Sequence, residues 1–487
     1  MKITDLKPAL VWQIFDEITK VPRPTHHLDK MKAFLVDWAN RHNVEVHTDE
    51  VGNVMMRVPA TPGHENAPVV ILQGHQDMVA EKRPDINHDF YNDPIQTEVD
   101  GEWVRAKGTT LGADNGMGCA AAMACMIDPD LVHGPLEALL TVDEEQGLIG
   151  ANGLKPGFVT GNILLNLDSE EMGSLVIGCA GGKVTNISLP LRMQEAPEGT
   201  YFEVSLSGLN GGHSGMEINL GRANANQQLA RFLWEADRRT PLELSYFEGG
   251  GLANAIPRDA KAVVCVAKED AEAFAAYGAE FFRMIKAELA GAENPDFKFE
   301  VAECKPRKEI IESQLGHNII TALFACPNGV QRMSTAIPGL VETSDNLASV
   351  SMLENGTMQI VVHQRSSLDS RRDEIADRVT ALFEMIGADV DYDDAYVGWE
   401  PNTESPVLKV AEESYRKLFG KDPKVEALHA GLECGLFLEK MPNLDMVSFG
   451  PTLKDIHSPS EKANIKSVAE FYDLLAEIIR RLADKKA

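Results

Sequence analysis

The 487-residue chain is 44% hydrophobic and 25% charged, an ordinary globular balance. Single cores stop growing at ~250–300 residues, so two or more domains are expected. With 46 Lys and Arg against 74 Asp and Glu, the formal charge is -28. Such a field repels nucleic acid and anionic membrane, and any anionic group on a small substrate must be held by local cations.

The N-terminal MKITDLKPALVWQIFDEITK carries Asp5 and no continuous apolar run, so no secretory signal is expected. Nowhere does the chain offer the ~18 consecutive apolar residues of a membrane span. Cys119, Cys125, Cys179, Cys265, Cys304, Cys326 and Cys434 are scattered without a CxxC pair. They read as reduced thiols of a cytoplasmic protein.

Helical apolar spacing is expected over residues 8–19 and 27–42. A strand follows at PVVILQGHQD (68–77), then a small-residue helix at GMGCAAAMACMI (116–127). Further apolar runs are LEALLTVDEE (136–145) and NILLNLDSEE (162–171). Short apolar runs separated by helices predict an α/β sheet covered on both faces. The glycine cluster GCAGG (178–182) suits a hinge, and the texture changes after it. Between 183 and 397, strands such as TYFEVSLSGL and MQIVVHQRSSL alternate with the helical segments ANANQQLARFLWEA and SRRDEIADRVTALFEMIG. The recurrence hints at two related halves without enough identity to claim a repeat. After Trp399 the α/β texture returns with LDMVSFGPT, and the chain closes on the amphipathic SVAEFYDLLAEIIRRLADKK. The economical reading is one domain built from 1–182 and 398–487, a mixed sheet flanked by helices, interrupted by an inserted α+β domain at 183–397.

Three strands of the first part end in potential metal ligands: His75-Gln76-Asp77, Asp143-Glu144-Glu145 and Asp168. Open α/β sheets collect ligands outside the carboxyl ends of their strands. A fourth strand, 445–449, leads to His457-Ser458-Pro459, and Asp114 lies in a Gly-Ala-Asp-Asn-Gly turn before a helix. Singly, each is an ordinary feature: a hydrogen-bonded His-x-Asp, a turn, a solvated Glu pair. Together they form a carboxylate-rich set with two imidazoles, which suits zinc, cobalt or manganese.

The segments GHQDMV, GTTLGADNGMG, TVDEEQGLIGANGL, LLNLDSEE, GCAGG, GLNGGHSGMEI, NAIPR, HAGLECG and GPTLKDIHSP occur in this order. In them the chain resembles the two-zinc aminoacylase, carboxypeptidase and dipeptidase family from about residue 10 to its C-terminus. The resemblance implies a zinc-peptidase catalytic domain with an inserted lid, and two divalent ions, zinc first and cobalt or manganese as alternatives. Asp114 would bridge the ions, His75 and Asp168 completing one site and Glu145 and His457 the other. A cis peptide is implied at Asp114–Asn115. Asp77, two residues after His75 on one strand face, would orient its imidazole. Glu145 being committed to a metal, Glu144 is left as general base and later general acid.

From the inserted domain the resemblance implies His213 as donor to the tetrahedral oxyanion, in cis or from a partner chain. It implies Asn254, Arg365 and the Gly431 backbone as the grip on a substrate carboxylate, for which an arginine fork is well suited. Bland alternatives are a solvent-facing turn histidine and a surface arginine. The activity implied is hydrolysis of dipeptides, Xaa-His and β-alanyl-histidine among them. The same metal site would also serve an N-acyl-amino-acid deacylase or a tripeptidase. A non-catalytic scaffold would be expected to lack ligands or Glu144. Nothing in the sequence decides a homodimer.

Overall fold

The computed structural model describes residues 1–393 and 395–485. The chain divides into two compact units: Met1–Gly178 with Pro401–Ala427 and Leu432–Ala487, and Cys179–Glu400 with Leu428–Gly431.

The first unit is built on an eight-stranded mixed sheet. Its order is Glu45–Thr48, Val54–Val58, Leu136–Thr141, Val70–His75, Ile163–Asn166, Asp445–Ser448, Ser174–Cys179, Lys424–Leu428. Four neighbours in the middle, from Leu136–Thr141 to Asp445–Ser448, run parallel. Strands are antiparallel on either side of that group. Every residue of Val70–His75 and of Leu136–Thr141 is buried, as their nearly continuous apolar sequences require of strands covered on both faces. The sequence runs expected over 136–145 and 162–171 end earlier, at Thr141 and Asn166. Their acidic tails lie beyond the ladder.

Each of the four parallel strands carries a buried uncharged polar residue near its carboxyl end: Thr141, Gln73, Asn166 and Ser448. They are joined side to side. Asn166 Nδ2 donates to Gln73 Oε1, and the Ser448 hydroxyl to Asn166 Oδ1. Gln73 Nε2 donates to Glu433 Oε2 at 2.6 Å, and Thr141 Oγ1 lies 2.8 Å from the same oxygen. A hydrogen-bonded belt of this kind pairs the strands' buried polar side chains and fixes the strands' mutual register.

The helix Ala9–Ile18 turns Val11, Trp12, Ile14, Phe15 and Ile18 inward. The helix Ala113–Ile127 comes closer to the sheet because it is almost all Gly, Ala, Cys and Met. A Cβ added at Gly118 would lie 2.4 Å from the Leu167 carbonyl oxygen. Asp114 and Asn115 are non-helical inside this element, so the regular turns begin near Gly116, and the Asp114–Asn115 peptide is cis.

The second unit has a nine-stranded sheet, antiparallel at its paired strands. The strand Thr200–Ser207 precedes the helix Ala225–Asp237, and Thr357–Ser366 precedes Asp369–Glu384, as the recurring texture predicts. Its core gathers Phe232 with Phe274, Tyr277, Phe281 and Phe299, ring centroids 4.9–5.6 Å from that of Phe232. Helix and sheet side chains thereby interlock.

Candidate metal centre and polar cluster

The parallel strands deliver the sequence's candidate ligands to one edge of the first unit. His75 is the last residue of its strand, Glu144 and Glu145 follow Thr141, and Asp168 follows Asn166. His457 arrives through the turn after Asp445–Ser448, with φ +56°. Two three-residue groups result, His75–Asp114–Asp168 and Asp114–Glu145–His457, the donor atoms within each lying within 4.8 Å of one another. Asp114 belongs to both, and its two oxygens divide. Oδ1 lies 3.1 Å from His75 Nε2, and Oδ2 lies 3.3 Å from His457 Nε2. Asp168 Oδ1 is 3.3 Å from His75 Nε2, and Glu145 Oε2 is 2.8 Å from His457 Nε2.

The donor set fits divalent metal ions. His75 Nδ1 donates to the Asp77 carbonyl at 3.2 Å, so a neutral imidazole turns the lone pair of Nε2 toward two carboxylate oxygens. Acceptors facing acceptors need a positive charge between them. Glu145 Oε1 is buried without a hydrogen-bond partner among the described residues. Without a metal, protons carry that charge. Burial would lower the His75 pKa, but Asp168, Asp114 and Asp77 hold it well above the ordinary value. Hydrogen bonds to Asp114 and Glu145 push His457 up to about 11. An ion in each group would replace those protons, since metal ligands bind deprotonated.

Asp77 lies just beyond the strand, which ends at His75, and its Oδ1 is 3.4 Å from His75 Nδ1. Its carbonyl oxygen takes His75 Nδ1–H. Its carboxylate accepts the backbone N–H of Glu144 at 3.0 Å and of Glu145 at 3.3 Å, and the Thr25 hydroxyl at 3.0 Å. One buried carboxylate thus braces an imidazole and the turn carrying both glutamates. Glu144 is a member of neither ligand group. Burial, with Asp168, Glu433 and Asp114 adding and His75 opposing, holds its carboxyl well above the usual range. Bound cations would draw it back down.

Within the second unit, the structure places His213 in a two-residue bridge opposite Ala255, next to exposed Asn254. Gly215 N and Met216 N donate to His213 Nδ1 at 3.2 and 3.0 Å. Nδ1 is therefore the unprotonated nitrogen and Nε2 carries the hydrogen. Burial, then Arg365, lowers the His213 pKa, which keeps the ring neutral. Arg365 is 4% exposed, unlike the surface arginine of the bland alternative. Its Nη1 donates to Tyr396 Oη at 2.8 Å. Its Nε has no partner, and it makes no ion pair among the described residues. The Gly431 main chain borders the same tyrosine: a Cβ there would lie 3.0 Å from the Tyr396 ring. Beside Arg365 stand its strand partner Ser344, which no sequence motif marks, and His429, the first residue of HAGLECG, whose Nε2 is 2.7 Å from Ser344 Oγ. Burial and then Arg365 push both His363 and His429 down to about 3. Strand pairing sets Ser344 beside Arg365.

An open α/β sheet with a carboxylate shared between two three-ligand groups at its carboxyl edge defines a class, the metal-dependent hydrolases. The chain belongs to peptidase family M20/M25/M40, whose family model matches residues 71–481. It is 42% identical over 485 residues to the cytosol non-specific dipeptidase of Escherichia coli (strain K12), covering 99% of this chain and 100% of the relative. The crystal structure of aminoacylhistidine dipeptidase from Vibrio alginolyticus matches with a TM-score of 0.91 and 41% identity, over 99% of this chain and 98% of that one. Aminopeptidase PepT from Bacillus cereus shares the fold at 16% identity and a TM-score of 0.58, over 98% of this chain and 100% of that one.

Proposed function

We propose that this chain is a dipeptidase of broad specificity, Xaa-His dipeptides and β-alanyl-histidine included, working with two divalent ions, zinc in the first place. The observation that carries the reading is the division of Asp114 between two imidazole–carboxylate groups beside an uncommitted Glu144. The dipeptidase names of relatives 42% and 41% identical over nearly the whole chain support the substrate class.

Two ions bound there would acidify a water and polarise the scissile carbonyl. Glu144 takes the proton of the attacking water on a carboxylate oxygen and delivers it to the leaving amine nitrogen. Asp77, holding the N–H groups of Glu144 and Glu145, keeps base and ligand in fixed relation. The residues 183–397 act as a lid that supplies substrate-holding groups. Neutral His213 offers Nε2–H to the tetrahedral oxyanion, a donor worth about 3–4 kcal/mol in the transition state. Arg365, buried and without an anionic partner, receives the C-terminal carboxylate with Tyr396, the Gly431 backbone and Asn254. A cation left unpaired in a protein interior is costly, and a substrate carboxylate removes that cost.

No helix among the described residues is long and apolar enough to cross a membrane, and Cys119, Cys125, Cys265, Cys304 and Cys326 form no disulfide. Both fit residence in the cytoplasm, and sedimentation would decide between a monomer and a homodimer.

The test is a panel of dipeptides, tripeptides and N-acetyl amino acids, run before and after chelation and after return of Zn²⁺, Co²⁺ or Mn²⁺. Dipeptide turnover that is lost with the metal and restored by it is expected. Preference for N-acetyl amino acids would install the deacylase reading, and activity indifferent to chelator would refute the metal centre.

A further inference from the structure

Three of the metal centre's five ligands, His75, Asp114 and His457, ride on three turns, at residues 75–77, 111–114 and 455–461. Two buried charged side chains with no part in the proposed reaction lie where these turns meet. Arg23 is 2% exposed. It donates Nη1 to the carbonyls of Gln76 at 2.9 Å and Asp77 at 2.7 Å, and Nη2 to the carbonyl of Gly112. Glu461 is also 2% exposed. Its Oε2 accepts the N–H groups of Leu111 at 2.7 Å and Gly112 at 2.9 Å; its Oε1 accepts those of Ala113 at 2.7 Å and Asp114 at 3.3 Å.

The two charges do not pair with each other. Each is balanced by peptide dipoles of the same turn, Glu461 by four successive N–H groups and Arg23 by a C=O. Gly112 is gripped on both sides, and its φ of +69° and the closeness of Arg23 Nη2, 2.5 Å from an added Cβ, explain why a glycine stands there.

We propose that Arg23 and Glu461 are positioning residues of the metal centre. Asp114 serves two imidazoles with two different oxygens, so any tilt of its main chain changes both groups at once. Glu461 removes that freedom by anchoring every N–H from Leu111 to Asp114. It sits four residues after His457, so it ties the Asp114 turn to the loop carrying His457. Arg23 ties the same turn to the one that follows His75. The three ligand-bearing turns become one rigid piece before any metal arrives. This rests on the assignment of Asp114 as the shared ligand.

The test titrates the metal-free full-length chain with Co²⁺, read by visible absorption and zinc competition, with kcat and KM measured on a dipeptide. Glu461→Gln is expected to weaken the ion of the Asp114–Glu145–His457 group by about 10–100-fold, the usual effect of losing a residue that orients ligands, and the other ion less. Arg23→Lys is expected to reverse that order. In both, kcat falls, KM changes little, and the cobalt band of the weakened group shifts. A merely structural role would lower thermal stability and leave affinity, band position and site order as in the wild type; that result overturns the proposal. Should Glu461→Gln not fold, Glu461→Asp, which keeps the charge, takes its place. Failure of all three variants to fold even with metal marks the pair as structural and equally overturns it. Wild-type protein that takes up fewer than two ions refutes instead the metal centre on which the proposal rests.

Discussion

Glu144 and Glu145 are neighbours in sequence with different surroundings. Glu145 Oε2 approaches His457 at 2.8 Å, whereas Glu144 belongs to neither ligand group. Replacing Glu144 by Gln keeps the shape and removes the proposed proton acceptor. We expect unchanged metal content and fold with kcat lower by about 10²–10⁴, the range of general-base catalysis; metal analysis beside steady-state kinetics checks it. Near-normal turnover at full metal content would remove Glu144 from the mechanism. Arg365 calls for a different comparison. Hydrogen bonds to charged groups are worth ~1.5–3 kcal/mol, so Arg365→Ala should raise KM for dipeptides by about 10–100-fold. C-terminally amidated analogues should be affected much less, and equal losses on both would exclude a carboxylate grip. Residues of this kind were legible because acids and imidazoles at strand ends are conspicuous. Arg23 was not: between two prolines in VPRPT it looks like an ordinary loop arginine, and its burial exists only in three dimensions. Glu461 likewise reads as one more solvated acid in HSPSEK.

At the scale of elements, the sequence showed most strands and helices through apolar runs and 3.6-residue spacing. It did not show where the strands stop. The runs at 136–145 and 162–171 mix ladder residues with the ligands beyond them, and only the sheet's pairing separates the two. The polar belt through Gln73, Thr141, Asn166 and Ser448 was equally hidden, because its members are isolated uncharged polar residues in mostly apolar strands and meet only through the sheet's pairing. The closing helix Ile465–Ala483 offers a test of stability. Burial opposes the Glu477 charge, but hydrogen bonds from Arg480, Lys417 and Arg481 outweigh it and hold the carboxyl at about 2. An unfolded chain titrates near the ordinary Glu value of ~4.3. A depressed folded pKa means that this contribution is complete above that value and is lost as pH falls toward 2. Glu477→Gln should therefore cost about 1–2 kcal/mol at pH 7, a figure reduced for solvent screening of the partly exposed cations. The difference from wild type should vanish by about pH 2. Urea unfolding across that range measures it, and a pH-independent difference would refute the pairing.

The molecule as a whole consists of two compact units, and all five candidate ligands lie in one of them. A ligand that binds only the folded state stabilises it by about 2.7 kcal/mol at a hundred times its dissociation constant. Calorimetry should accordingly resolve two transitions, and chelation should lower the Tm of one while leaving the other in place. A parallel drop in both would show that the units unfold together.

The sheet order sets a timetable for synthesis. Asp445–Ser448 lies between Ile163–Asn166 and Ser174–Cys179, so a growing chain leaves an interior slot in its sheet for almost three hundred residues of translation, roughly the span from the one strand to the other. The hydrogen-bonded belt and the second imidazole both wait for the segment that fills it. A nascent chain halted before that strand has neither a closed sheet nor His457, and on the proposed metal centre it is expected not to cleave the peptides around it. Completion of the polypeptide is thereby coupled to the birth of its activity, and incomplete products released from the ribosome are expected to be silent and readily degraded.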